Sequence, residues 1–370
     1  MSESVHADLA HAARDTAARL RAWLLHGPAS VRTGAQTGGV AGSIAADGSP
    51  RYVYAEITGY YLSWLADLSA TESAALAIEP AKRAIAWATR AFASSAQIPP
   101  TRIYLDATES APDWRNDAVF FFDLAMLLRG LDATSEAGIV CVPSELRIAM
   151  HRQLLRFVEN DTLRCALPLR ADAALPQRWS TCGGPFLVKA SSRVTCSARQ
   201  APLPNSLARA CVNENARWAQ DAADIDLGML HPTLYFAEGL LLAHPERAAS
   251  IARLLRRCLD LARDDGPLPE SADHPADSVA KLRNDIIAQA LRVGLLLRDA
   301  GESQAPAQSE LDRLAQALVA RVDAAGFLAF DIDSAAQANV WCSMFAEQAL
   351  RWYADAGVPG TPRPSAAALV

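Results

Sequence analysis

Apolar residues recur along this chain in two ways, and the difference predicts two kinds of helix. In the first, apolar positions fall three and four residues apart with charges between them, as in a helix with one face in a core and the other in water. Residues 3–25 read this way, as do segments near 79–97, 143–160, 245–264 and 308–323. In the second kind the polar remainder is thin. From Ala55 onward, Ile57, Tyr60, Tyr61, Trp64, Leu65 and Leu68 leave little of the helix surface for water. Segments 116–131, 185–194, 231–242, 284–297 and 339–353 are likewise apolar nearly all round, so each is expected to be enclosed by other helices.

The two kinds take turns, which is how a chain builds an inner and an outer layer of helices. Enclosed segments return every 50 to 70 residues or so, a spacing that suits a repeated hairpin of one outer and one inner helix. The predicted architecture is all-α: an (α/α)6 toroid of about six helical hairpins. It is expected to be one domain over residues 1–370, with a flexible tail at 357–370. Only Ile139-Val140-Cys141-Val142 and Gly326-Phe327-Leu328-Ala329-Phe330 stand out as short strands. The irregular stretches 163–181 and 264–276 read as loops. A Gly-rich stretch at 27–50 holds no GxGxxG or Walker pattern, so a phosphate cradle has no support there.

Composition narrows the function classes. The chain has 370 residues, 51% hydrophobic and 21% charged, ample for a core. A formal net charge of -6 speaks against a nucleic-acid surface, which needs a concentrated positive field. Seven scattered cysteines, at 141, 165, 182, 196, 211, 258 and 342, include no CxxC pair. A disulfide framework or local zinc site is therefore not expected, nor is any cofactor, and a reducing compartment is favoured. With no signal-peptide pattern and no uncharged run of membrane-spanning length, the expected location is the cytoplasm.

Several motifs resemble the inner-helix motifs of the six-hairpin glycosidase-like superfamily. They are Tyr54-Ala55-Glu56-Ile57-Thr58-Gly59-Tyr60, Trp179-Ser180-Thr181 leading into Gly184-Pro185-Phe186, His231-Pro232-Thr233-Leu234-Tyr235 with Glu238-Gly239, and Gln289-Ala290-Leu291-Arg292. The resemblance covers roughly residues 30 to 355 and implies the toroid. That superfamily includes glycoside hydrolases, sugar epimerases and polysaccharide lyases; terpene and lanthionine cyclases use the same toroid. Neither an Asp-rich acid motif nor clustered Cys and His ligands are evident, which leaves carbohydrate chemistry.

In such a toroid the first turns of the inner helices gather on one face. The expected catalytic candidates are Glu56, Asp117, Glu238, Asp285 and His231. Tyr54, Tyr60, Trp114, Trp179, Lys189, Tyr235, Arg283 and Trp341 are expected to hold a saccharide, through aromatic stacking and hydrogen bonds to hydroxyls or uronate groups. Hydrolysis would pair Glu56 with Asp117, Glu238 or Asp285 across a scissile bond. Epimerisation would instead draw a base and an acid from His231, Tyr235 and Lys189. Glu56 could equally be a structural acid bonded to tyrosine hydroxyls. The triplet Arg-Asn-Asp, at 115–117 and again at 283–285, also reads as an ordinary helix cap. Asp123 is expected to be a buried acid satisfied by a neighbouring helix. The expectation is thus an enzyme acting on a saccharide or polysaccharide, by glycoside hydrolysis or sugar epimerisation. The alternative is a non-catalytic toroid serving as a binding or assembly partner in a biosynthetic pathway.

Overall fold

The computed structural model describes residues 3–71, 74–93, 98–106, 114–170, 172–197, 200–219, 225–264, 266–273, 281–331, 337–356 and 358–370. The chain divides into two compact units, one made of residues 28–218 and the other of residues 1–27 with 219–370.

In the first unit the enclosed helices are α2 (Ala55–Thr71), α4 (Phe121–Glu136) and α7 (Leu187–Ser197). Amphipathic helices α3 (Ala75–Ala88), α5 (Ser144–Leu155) and α8 (Asn205–Ala219) alternate with them, and a one-turn helix α6 (Trp179–Cys182) precedes α7. Sequence analysis does not isolate α8, where polar Asn205, Asn213, Glu214 and Asn215 blur the apolar stripe. Residues 94–97 and parts of the loop 264–276, namely 265 and 274–276, lie outside the described residues.

The second unit repeats the alternation. Enclosed α9 (Leu230–Ala243), α11 (Asn284–Asp299) and α13 (Val340–Asp355) are interleaved with amphipathic α10 (Ala248–Leu259) and α12 (Gln308–Val319). Helix α1 (Glu3–His26) packs on α12 and α13. On α10, Ile251, Ala252, Leu254, Leu255, Cys258 and Leu259 form the buried stripe. On α1, Arg21 reaches Glu347 of α13, whose Oε1 accepts from Arg21 Nε and Arg351 Nε, both at 3.1 Å. Glu347 is fully buried, and two guanidinium donors offset what burying its charge costs.

Strands are few and serve the helix starts. In the first unit Tyr52–Tyr54 pairs antiparallel with Arg102–Tyr104, and Ala118–Phe120 with Ala166–Pro168. Thr101 Oγ1 donates to the Ala118 carbonyl at 3.0 Å, so the segment 101–104 stitches the starts of α2 and α4 together. The second unit does the same. Met229 bridges Ser271, Pro269 bridges Leu282, and Arg283 bridges Asp331, while Leu328–Ala329 pairs with Ala338–Asn339 just before α13. The N-cap residues Met229, Arg283 and Asn339 are all extended, so each chain segment comes off a bridge and turns directly into its helix.

Three expectations are corrected. The helix expected from residue 116 starts at Phe121, because residues 114–117 form a 3-10 turn and 118–120 a strand. Neither Arg-Asn-Asp triplet caps a helix through its Asn or Asp: the first lies in that turn, and in the second the cap is Arg283. Residues 139–142 form no strand. At the C-terminus Leu369 and Val370 are buried, and Gln348 Nε2 donates to the Ala368 carbonyl at 2.8 Å.

In the first unit α2 and α4 cross with their backbones in close contact. A Cβ on Gly59 would lie 2.3 Å from the Met126 carbonyl oxygen, and one on Gly130 would lie 2.3 Å from the Gly59 oxygen. Both obstacles are backbone, so neither can swing aside. We expect Gly59→Ala to force the helices apart and to lower stability by about 3 kcal/mol, from overpacking. Chemical denaturation checks this; a variant as stable as the wild type would mean that the close crossing is dispensable.

Candidate functional site

Each unit gathers reactive side chains at the starts of its enclosed helices. In the first unit the Gly59–Gly130 crossing sets the first turns of α2 and α4 side by side, bringing Glu56 and Asp123 together with Tyr54. Both carboxyls are buried. Burial first, and then the charge of Glu56, push Asp123 well above the usual carboxylate range. Burial and the charges of Asp123 and Glu56 likewise raise Tyr54, whose hydroxyl bonds to Glu56. Asp123 Oδ2 has no hydrogen-bond partner, while bonds from Thr101 and Tyr54 to the carboxyl only partly oppose the upward shift. Two adjacent carboxyls in a dry place hold one proton between them more readily than two charges. Lys189 and Tyr60 are also buried, with the Lys189 ammonium 5.0 Å from the centre of the Tyr60 ring.

Asp117 stands apart. Its side chain is 39% exposed in the 3-10 turn and faces Arg170 at 3.6 Å. Trp114 and Trp179 are half-buried, Trp114 set edge-on to Phe120 and Trp179 edge-on to Phe186.

In the second unit the stitched helix starts bring together His231 of α9, Asp285 of α11 and Trp341 of α13. Arg283 grips Asp285 bidentately, Nε to Oδ1 at 3.1 Å and Nη2 to Oδ2 at 2.6 Å. The Ile286 amide donates to Oδ1 at 2.9 Å, Trp341 Nε1 donates to Oδ2 at 3.2 Å, and His231 Nδ1 lies 3.3 Å from Oδ2. Burial alone would raise this carboxyl, but Arg283, His231 and the bonds from Arg283 and Trp341 outweigh it and hold Asp285 below its ordinary value. Asp285 is therefore a fixed negative charge and not a proton donor.

His231 is the complementary case. Its Nδ1 faces two acceptors, Gln289 Oε1 at 2.7 Å and the Asp285 carboxylate, so Nδ1 carries the hydrogen and Nε2 the lone pair. Burial, only partly opposed by Asp285, lowers its pKa to about 4, which leaves a neutral imidazole at pH 7. The Tyr235 ring packs against it at 4.3 Å. Arg283 also bonds Glu270 at 3.1 Å and lies over the Phe330 ring.

Glu238 sits one layer further in. With its side chain fully buried, it accepts from Arg292 Nη2 at 2.7 Å, and Arg292 also reaches Gln348 Oε1 and the main-chain oxygen of Val370. Sequence reasoning did not place Gln289 or Asp123 in a site. The signal for Gln289 was its position one helical turn after Asp285, hence on the same face. The signal for Asp123 was lost with the misplaced start of α4. Among the described residues, no group of three or more His, Cys, Asp or Glu is arranged to hold a metal ion.

Alternating enclosed and amphipathic helices with reactive side chains in the inner first turns define an (α/α)6 toroid of helical hairpins, the fold expected from the sequence. Solved structures similar to this chain share that fold. One is a D-mannose isomerase, with 13% identity and a TM-score of 0.65 over 96% of this chain and 98% of that one. Another is the cellobiose 2-epimerase from Spirochaeta thermophila DSM 6192, with 13% identity and a TM-score of 0.62 over 93% and 98%. A glycosidase in complex with glucose has 14% identity and a TM-score of 0.60 over 96% and 99%. No protein-family model matches the chain, and no curated protein matches it.

The two buried acid–base groups have opposite effects on stability over one pH range. The folded pKa of His231, about 4, lies below its unfolded value, so the unfolded state binds more protons between the two. Stability from His231 is full above about pH 6.5 and falls as pH drops towards 4, by on the order of 3 kcal/mol. Asp123 has a raised folded pKa, so its contribution is full below about pH 4 and is lost as pH rises. Melting temperature against pH should therefore lose its acid-side decline in His231→Gln and gain alkaline-side stability in Asp123→Asn. Unchanged slopes would show that neither group is perturbed.

Proposed function

We propose that this protein is a carbohydrate-active enzyme that works by acid–base chemistry, moving a proton at the carbon beside a sugar's carbonyl group. Isomerisation or epimerisation is thus favoured over glycosidic cleavage. The observation that carries this reading is His231: a neutral imidazole whose tautomer is fixed by Gln289 and Asp285. In this role Nε2 takes the carbon-bound proton, the substrate becomes an enediolate, and the imidazolium is stabilised by the Asp285 charge. Return of the proton to the neighbouring carbon completes an isomerisation; return to the opposite face requires a second acid and completes an epimerisation. Arg283 keeps Asp285 ionised, while Tyr235 and Trp341 offer aromatic surface for the sugar's C–H faces. The similar structures of an isomerase and an epimerase support the same class.

Hydrolysis by the carboxyl pairs expected from the sequence has less support. Asp285 and Glu238 are held in arginine pairs, and Asp117 is half-exposed beside Arg170. Glu56 lies near Asp123, whose carboxyl burial and the charge of Glu56 push towards the neutral form, and Tyr54 bonds to Glu56. A purely binding or assembly role leaves the fixed tautomer of His231 without a purpose. The proposal extends to a single domain over residues 1–370 and to a reducing, cytoplasmic location, supported by seven free thiols. Among the described residues no helix is long and apolar enough to cross a membrane.

The test is turnover of aldoses and reducing disaccharides in deuterated water, followed by proton NMR. Wild-type protein should place solvent deuterium on carbon in a sugar of the panel, and His231→Gln should lower that rate by about 10²-fold or more. Cleavage of a disaccharide without carbon exchange would overturn the reading.

A further inference from the structure

We propose that Cys165 and Cys182 are a redox pair, thiols that hydrogen peroxide converts into a disulfide and a dithiol reductant restores. The inference concerns the first unit alone and does not depend on the carbohydrate reading. Both cysteines are free thiols, Cys165 buried and Cys182 exposed. They meet at Gly183, the residue after Cys182: a Cβ built on it would lie 4.0 Å from Cys165 Sγ and 3.8 Å from Leu187 Cδ1. The Gly183 amide and the Cys182 side chain both act on the Cys165 thiol, so the sulfurs lie within each other's field. Gly183 has a φ of 75°, and a glycine turns more freely than any other residue. That freedom supplies the adjustment needed to bring the cysteine Cβ atoms to the spacing of about 3.8 Å that a disulfide requires.

The two thiols play different parts. Cys182 ends the one-turn helix α6 and meets solvent, with Thr181 Oγ1 3.8 Å from its sulfur. Its thiolate attacks hydrogen peroxide and the O–O bond breaks, giving a sulfenic acid and a hydroxide that takes up the thiol's proton as water. Cys165 is shielded from the oxidant, and burial pushes its thiol up to about 11, so it stays protonated. Its sulfur then attacks that of Cys182: the S–S bond forms, the S–O bond breaks, and the departing hydroxide leaves as water with the Cys165 proton. The pair loses two electrons, and the peroxide is reduced to water. The bond ties two helix starts together. The Cys165 carbonyl accepts from the Phe121 amide at 2.9 Å at the start of α4, and Cys182 belongs to the turn that leads into α7. In a reducing compartment such a bond is transient, which suits a response to oxidant.

The experiment adds hydrogen peroxide stepwise to the native protein until the exposed Cys141 is oxidised, alkylates the remaining thiols and digests with trypsin for mass spectrometry. Cleavage after Arg164, Arg170, Arg178 and Lys189 gives the peptides 165–170 and 179–189, each holding one cysteine of the pair. The peptides should appear joined, and dithiothreitol should release them. Cys165→Ala should leave Cys182 as a sulfenic acid that dimedone traps, and Cys182→Ser should leave Cys165 reduced. In the wild-type protein, Cys182 carried on to a sulfinic acid beside a free Cys165 overturns the inference. So does a bond from either thiol to another cysteine, or a pair still reduced when Cys141 is oxidised.

Discussion

An ionised carboxylate away from water is among the most expensive things a fold can contain, and Asp285 is buried completely. It persists because donors surround it: both nitrogens of the Arg283 fork that face it, the Ile286 amide, Trp341 Nε1 and His231 Nδ1. Those donors come from the starts of three helices, so satisfying one charge fixes the mutual placement of α9, α11 and α13. The same arrangement makes His231 a neutral base with a fixed tautomer, since Asp285 and Gln289 both require a hydrogen on Nδ1. Structure and proposed chemistry in this unit are therefore two consequences of one buried charge.

The layer beneath behaves differently. Glu238 and Arg292 are also a carboxylate and a guanidinium, but both side chains are fully buried, and the arginine is further committed to Gln348 and Val370. A pair closed on itself in this way has nothing to offer a substrate. What it supplies is register: a buried ion pair tolerates little displacement, so α9 and α11 are held in step two turns beyond the first.

In the other unit the controlling constraint is steric. Gly59 and Gly130 allow backbone to meet backbone, and the approach that results puts Glu56 beside Asp123. Burial and the nearby charge of Glu56 push Asp123 towards the neutral state, while Arg283 and His231 hold Asp285 charged against its burial. The same residue type thus takes opposite protonation states in the two units, and the cause in each case is what the helix starts bring near it.

Much of the fold was legible in the sequence, because the evidence for it is local. Whether apolar residues cover one face of a helix or all of it is visible within a dozen positions, and that alone separated α2, α9, α11 and α13 from α1, α10 and α12. Glu56, His231 and Asp285 were legible as polar groups at the starts of enclosed helices. Their partners were not. Nothing in the sequence says that Arg283 forks onto Asp285 two residues away, that Gln289 reaches His231, or that Asp123 and not Asp117 faces the interior. The last point turned on a helix starting at Phe121, after a strand that exists only because residues 166–168 pair with it. Pairing of that kind is a contact between segments distant in the chain, and so are the distances that decide which acid is charged. The sequence by itself determined which stretches must be buried. Which side chains meet there, and hence which can carry a proton, was decided only by the tertiary structure.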